Sequence, residues 1–364
     1  MKAVQAWTLV WDEDWVTAAS FLGPTRLLAA GNNVGEILIW VLPERGKPAP
    51  LPTLRLQGHA NCISRLRSSK DGRWLYSSGY DKALRVWDLK SAPGEKQQVE
   101  LNRRAREEIK RRPGSGRKMP DPLTAEVRPL KPARTLEGHG DWVTAFDLSA
   151  DGKTLVSGDD TGRVIVWDTE SGKEVRRWQV KGWVYSISLS PDASRVVVTE
   201  RVPLVFDSGR LDGAKVWDVK SGKLLSDLGP AFKGMYLAGS AWSADGKAVY
   251  LGRGGECDGP NGLVHVASPE SGKKTATFTG TGHLNGMTDL AWHPGGKHLI
   301  STGRDTMFRI WDVEARKLAL EVGKGRGGQF KDWLHCVAVS TDGKWLAAGD
   351  MAGAVQVWEL SGGG

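Results

Sequence analysis

Ser157-Gly-Asp-Asp-Thr-Gly-Arg-Val-Ile-Val-Trp-Asp168 is a turn, a short apolar run and a Trp-Asp pair. Its β-branched residues behind a Gly-containing turn read as a short strand. The ending recurs as Trp87-Asp88, Trp217-Asp218 and Trp311-Asp312, while Trp40 and Trp358 stand at matching places without the Asp. Most gaps between these tryptophans are 45 to 50 residues, or nearly twice that. A fixed period of this length marks a repeat array.

The unit grows outward from that ending. Sixteen residues before Trp167 lies Asp151, in Ser149-Ala-Asp-Gly-Lys153, and the same offset gives Asp71, Asp342 and Gly295 elsewhere. Eight residues earlier each unit has an apolar residue, Val143, Ile63, Leu334 or Met287, and Gly-His pairs end just upstream at His59, His139 and His283. No long helical period competes, except in one insert.

This pattern resembles the WD40-repeat family over nearly all of the chain outside that insert. Seven units end near Trp40, Trp87, Trp167, Trp217, Val266, Trp311 and Trp358. The resemblance implies an all-β fold: a single domain over residues 1–364, a seven-bladed β-propeller of four-stranded antiparallel blades. Unit seven stops at Leu360 without an outer strand, and Lys2-Ala-Val-Gln-Ala-Trp7 resembles the outer strand Lys173-Glu-Val-Arg-Arg-Trp178. The N-terminal strand is therefore expected to close the last blade and remove an exposed edge. The family's intrablade hydrogen-bond set is complete in His59, Ser77, Asp81, Trp87 and in His283, Ser301, Asp305, Trp311. The third unit keeps His139, Ser157 and Trp167 but has Thr161 in the Asp place. Recurrence at the repeat period makes these His-Ser-Asp sets structural rather than catalytic.

Composition bounds the function. No apolar run is long enough to span a membrane as a helix, and Met1 to Trp11 is too short and amphipathic for a signal peptide. Cys62, Cys257 and Cys336 give no disulfide framework, zinc spacing or haem motif, so a reducing cytoplasm, no metal and no cofactor are expected. The net charge is +8, yet residues 91–133 alone hold eleven Lys/Arg against six Asp/Glu. The body is thus not strongly basic.

Function is expected where loops depart from the scaffold. The basic, Pro- and Gly-containing insert at about 91–133 lies within blade 2. Gln98 to Arg112 reads as a basic helix and Pro113 to Pro132 as extended or mobile, the whole dispensable for folding. Nucleic-acid or anionic-surface contact through it is an alternative, weakened by the lack of interleaved aromatics. Units four and five have long turns, Arg201–Asp212 and Arg253–Asn261; Asp207, Asp212, Glu256 and Asp258 there fit no calcium-loop spacing. Lys324-Gly-Arg-Gly-Gly328 lacks a phosphate-loop pattern. The residue before each inner-strand apolar position is Trp15, Cys62, Trp142, Trp183, Tyr236, Gly286 and Trp333; the residue after it includes Tyr185 and His335. The family topology puts both columns at the top face. The leading reading is a non-catalytic scaffold, monomeric on its own, that binds a protein or peptide there. Its site comprises Trp15, Trp142, Trp183, Tyr185, Tyr236, Trp333 and His335, with Arg201 and Arg253 on the long turns. The other reading of these rings is packing between blades. A channel-located enzyme is a further alternative, but no catalytic residue can be named.

Overall fold

A computed structural model describes residues 1–11, 14–91, 93–112, 118–201, 213–255, 260–323 and 333–362. The strands form seven sheets, and each inner strand packs against the next around a ring that closes from the seventh back to the first. The inner strands are Val16–Phe21, Ile63–Ser68, Val143–Leu148, Trp183–Leu189, Leu237–Trp242, Met287–Trp292 and Leu334–Val339. The blades are numbered 1 to 7 in this order. Lys2–Val10 pairs antiparallel with Ala354–Ser361 as the outer strand of blade 7, so the N-terminus closes the ring.

Short polar motifs set each blade's shape. At the bottom turn the Ser149 hydroxyl donates to Asp151 at 2.6 Å and accepts the Thr154 N–H at 2.9 Å, and Gly152 takes φ +73°. Blades 2, 4, 5 and 7 repeat this serine–aspartate clamp. Inside blade 6, His283 Nδ1 meets Asp305 at 2.9 Å and its Nε2 meets Ser301 at 2.7 Å, while Trp311 Nε1 donates to Ser301 at 2.8 Å. Blade 2 has the same set with His59, Asp81, Ser77 and Trp87. Blade 3 completes it by another route: Thr161 does not reach His139, and Asp159, two residues earlier, takes the bond at 2.9 Å.

Every inner strand carries a β-bulge just after the repeat's apolar position: Thr17, Ser64, Thr144, Tyr185, Ala238, Thr288 and His335. A bulge re-aims its side chain. Four of these use a hydroxyl to reach the next blade, Thr17 to the Ile63 carbonyl, Ser64 to Val143, Thr144 to Val184 and Thr288 to Leu334. Blades 4, 5 and 7 have Tyr185, Ala238 and His335 instead. This column thus staples blades wherever it does not differ.

The insert departs from expectation. Gln97–Glu100 is a strand, the helix is Arg103–Arg111, and Thr124–Leu130 is a second strand. Thr124–Leu130 leaves blade 2 and pairs parallel with Pro52–Leu56, the outer strand of blade 1, and Gln97–Glu100 pairs on its far side. Blade 1 is therefore six-stranded. The insert buries Leu101, Ala125 and Val127 in one cluster with Trp7, Leu9, Trp11 and Trp40. The insert thus packs as structure on blade 1, against the expectation of a segment that buries little surface. Its helix is held by Arg104 on Asp14 at 3.2 Å, the residue before Trp15.

Candidate ligand-binding mouth

Two members of the aromatic column are fixed at the entrance to their inner strands by the aspartate that precedes them. Asp14 Oδ1 accepts the Trp15 N–H at 2.7 Å and Asp141 Oδ1 accepts that of Trp142 at 2.9 Å. Across six of the seven blades, the turn between second and third strands returns a backbone N–H to the carbonyl in the aromatic column's position: Asn33 to Trp15, Tyr80 to Cys62, Asp160 to Trp142, Gly254 to Tyr236, Arg304 to Gly286 and Met351 to Trp333. Two columns are thereby locked side by side around the axis.

Together they enclose a cup of about 340 Å³. Six of the expected residues line it: Trp15, Trp142, Trp183, Tyr185, Arg201 and His335. The three tryptophans and Tyr185 keep 37–43% of their surface exposed. Tyr236 stands behind the wall. Its ring meets Tyr185 edge-on at 4.7 Å, lies under the Arg201 guanidinium at 5.3 Å and rests on the Gly254-Gly255 backbone. Trp333 is half-buried under Arg304 at 5.0 Å. Arg253 ends a strand of blade 5 and is not among the lining groups. The long turns expected to build a wall fall largely on residues 202–212 and 256–259, outside the described residues, as does Lys324–Gly328.

Tyr80, Asp160 and Asn33 also line the cup. They belong to the second column, whose regularity was available in the sequence as the position just before each turn. Tyr80 stacks on Trp142 at 4.6 Å with planes 3° apart. The floor is a bar across the channel: Arg65 of blade 2 donates to Asp289 of blade 6 at 2.7 Å. Asp289 also accepts the Val337 N–H at 3.1 Å.

The electrostatics of the cup are uneven. Burial, followed by the Arg304 charge, lowers His335 to about 4, so its imidazole is neutral at pH 7. It stacks with Trp15 at 6.3 Å. Burial pushes the Cys62 thiol up to about 12, which removes thiolate character. Among the described residues no group of three or more His, Cys, Asp or Glu is arranged to hold a metal ion.

A larger cavity lies elsewhere, about 770 Å³ between the lower ends of blades 2 and 3. It opens where the outer strand of blade 2, Arg134–Leu136, is only three residues long. Three of its rim charges are committed: Asp71 and Asp151 to the turn serines, Arg134 to the carbonyls of Thr169 and Glu170.

Comparison with known proteins follows the same repeat. Residues 50–88, 130–168, 272–312 and 326–359 match the family profile described as "WD domain, G-beta repeat". The chain is similar to small ribosomal subunit protein RACK1y of Oryza sativa subsp. japonica, 30% identical over 122 residues, 32% of this chain and 33% of that protein. It is similar to small ribosomal subunit protein RACK1z of Arabidopsis thaliana, 24% identical over 309 residues, 66% of this chain and 91% of that one. It is similar to protein groucho of Drosophila melanogaster, 24% identical over 347 residues, 95% of this chain and 39% of that one. The chain thus spans about a third of the rice relative's length and about two fifths of groucho's.

Proposed function

This chain belongs to the WD40-repeat family, and we propose that it is a non-catalytic scaffold binding a protein or peptide partner at the top mouth. One observation carries the reading. Trp15, Trp142, Trp183 and Tyr185 converge on one cup with a closed floor, and each keeps more than a third of its surface in water. Rings that only packed between blades would be buried, as Trp87 and Trp311 are. Large amphipathic rings around a concavity are what interaction hot spots are made of. The rigid ring of bulged inner strands presents them with little ordering cost.

An enzyme in the channel is less well supported. The cup's thiol is held protonated, its histidine is uncharged, and the Arg65–Asp289 bar occupies the passage below. The insert is a weaker anion-binding element than its charge suggests. Arg104 and Arg106 are paired with Asp14 and Glu100, and Arg111 and Arg112 lie within 4 Å of Glu107 and Glu108. A cytoplasmic setting fits the free thiols of Cys62 and Cys336.

The test is capture of partners from the source cell with the whole chain, then affinity measurement with Trp142→Ala and Trp183→Ala. Each should weaken binding by more than about 1 kcal/mol. Lys70→Glu at the lower groove should leave it unchanged. Normal binding by both tryptophan variants, with earlier melting, would return the rings to a packing role.

A further inference from the structure

Asp160 is the acidic group of the cup, and its surroundings are unlike those of the other carboxylates. Its backbone N–H is fixed to the Trp142 carbonyl at 3.1 Å, so the side chain stands at the start of the Trp142–Tyr80 stack. Among the described residues no donor reaches its carboxylate, whereas Asp141, Asp159 and Asp289 all accept hydrogen bonds. Burial, then the charges of Asp141 and Asp159, raises its acid to about 6. An aspartate in that state lacks a cation.

The positive groups nearby do not supply one. From blade 2, Lys82 lies 3.9 Å from Asp141 and donates to the Gly140 carbonyl at 3.1 Å. Arg65 belongs to Asp289 in the floor. From blade 4, Arg201 lies on the Tyr236 ring. Glu200 accepts the Lys181 and Gly182 N–H groups and pairs with Lys215. Across the cup His335 stays neutral, and burial keeps the Tyr80 phenol protonated.

A half-buried carboxylate without a donor, beside the exposed faces of Trp142 and Trp183, is complementary to an organic cation bearing N–H groups. We infer that the mouth selects an arginine or lysine side chain of the partner protein, its N–H groups on the Asp160 carboxylate and its charge against the tryptophan rings. A charge-assisted hydrogen bond and cation–π contact then act on the same group. This rests on the reading that the mouth is the binding site. Because only the ionised carboxylate serves, binding is strongest above pH 6 and is lost as pH falls.

The probes are Nα-acetyl-arginine amide and Nα-acetyl-lysine amide, with the citrulline and Nε-acetyl-lysine amides as neutral counterparts. They are titrated into the ¹⁵N-labelled chain while the tryptophan indole N–H resonances are followed by NMR. At pH 7.5 the cations should saturably shift the Trp142 and Trp183 signals. At pH 5 their affinity should fall about tenfold, the ionised fraction expected from a pKa near 6. Asp160→Asn should remove both the binding and its pH dependence. Neutral probes binding as tightly, a flat pH profile, no saturable shift, or an unaffected Asp160→Asn would each overturn the inference. With a captured partner, binding kept by Asp160→Asn but lost by Trp183→Ala sinks the cation and keeps the mouth. Binding kept by both sinks the mouth.

Discussion

Blades 6 and 4 are built on the same period, yet they use their polar groups in opposite ways. In blade 6, His283, Ser301, Asp305, Arg309 and Trp311 are all buried and joined, with Arg309 on Asp305 at 2.7 Å. Among the described residues blade 4 has no such set. Val198 occupies the strand position that Ser301 holds in blade 6, opposite the third strand, and the buried Nε1 of Trp217 has no partner among the described residues. Glu200 substitutes in part by accepting two backbone N–H groups and pairing with Lys215. The same blade turns Trp183, Tyr185 and Arg201 toward the cup. Polar groups closed on one another hold blade 6, which lines the cup with Thr288 alone; blade 4, without that closure, lines it with three side chains.

The sharpest way to break this contrast is Asp305→Ala. It takes from His283 and Arg309 the carboxylate they share inside blade 6 and leaves Arg309 only the partly exposed Glu321, and breaking a buried pair costs about 3–5 kcal/mol. Glu200→Ala should cost less, since Lys215 keeps some exposure, 18% against 3% for Arg309. Denaturant melts of the two variants decide the order. An equal loss would mean that blade 4 is as dependent on its substitute as blade 6 is on the full set.

The insert tests whether every departure from the repeat serves the surface. Leu101→Ala removes a side chain that is 1% exposed in the cluster around Trp7 and Trp40. A buried Leu→Ala change costs about 2–5 kcal/mol, and a site at the rim of a sheet should fall at the low end. An unchanged melt would make the insert a passenger on blade 1, and the expectation drawn from its charge would stand after all.

These cases mark what could be read in the chain. The Trp period, the Asp-Gly turns and the N-terminal likeness to Lys173–Trp178 all report local strand geometry, and local geometry is what a repeat copies. The docking of the insert is a non-local edge pairing. Its one trace is the alternation in Thr124-Ala-Glu-Val-Arg128, where Ala125 and Val127 point inward. Prolines, glycines and charge around it masked that signal. Thr161 stands in the repeat's Asp place, yet Asp159 makes the bond, because a carboxylate two residues away along a turn can reach the same imidazole. The aromatic column was legible, but Asp160 and Tyr80 were not, because they lie in a turn column whose composition varies from blade to blade.

A paired substitution sharpens the comparison at one position. Ser301→Val orphans His283 Nε2 and Trp311 Nε1 together, and should cost about 1–3 kcal/mol. The reverse change in blade 4, Val198→Thr, offers Trp217 Nε1 an acceptor at nearly constant volume. It should be neutral or stabilising, within about 1 kcal/mol. If Val198→Thr destabilises as strongly as Ser301→Val, the indole of Trp217 is not the limiting defect in blade 4.

The smallest effect separates the carboxylates of the network from the one in the mouth. Asp81 is raised by burial but more than offset by His59, and ends at about 2. Asp159 follows the same course with His139 and also ends at about 2. Their folded values lie below the unfolded one, so they stabilise above about pH 4, and that stability is lost as pH falls toward 2. Asp160 has the opposite sign. Its folded value near 6 lies above the unfolded one, so the folded chain binds the extra proton between about pH 4 and 6 and loses stability as pH rises through that window. With its partial exposure discounted for solvent screening, Asp160→Asn should stabilise the unliganded chain by about 1 kcal/mol at pH 7.5 and by nothing near pH 4. Thermal melts at the two values read this directly. A variant that is destabilised at pH 7.5 would mean that Asp160 has a partner within the fold, and a carboxylate already satisfied there has no need of a ligand's cation.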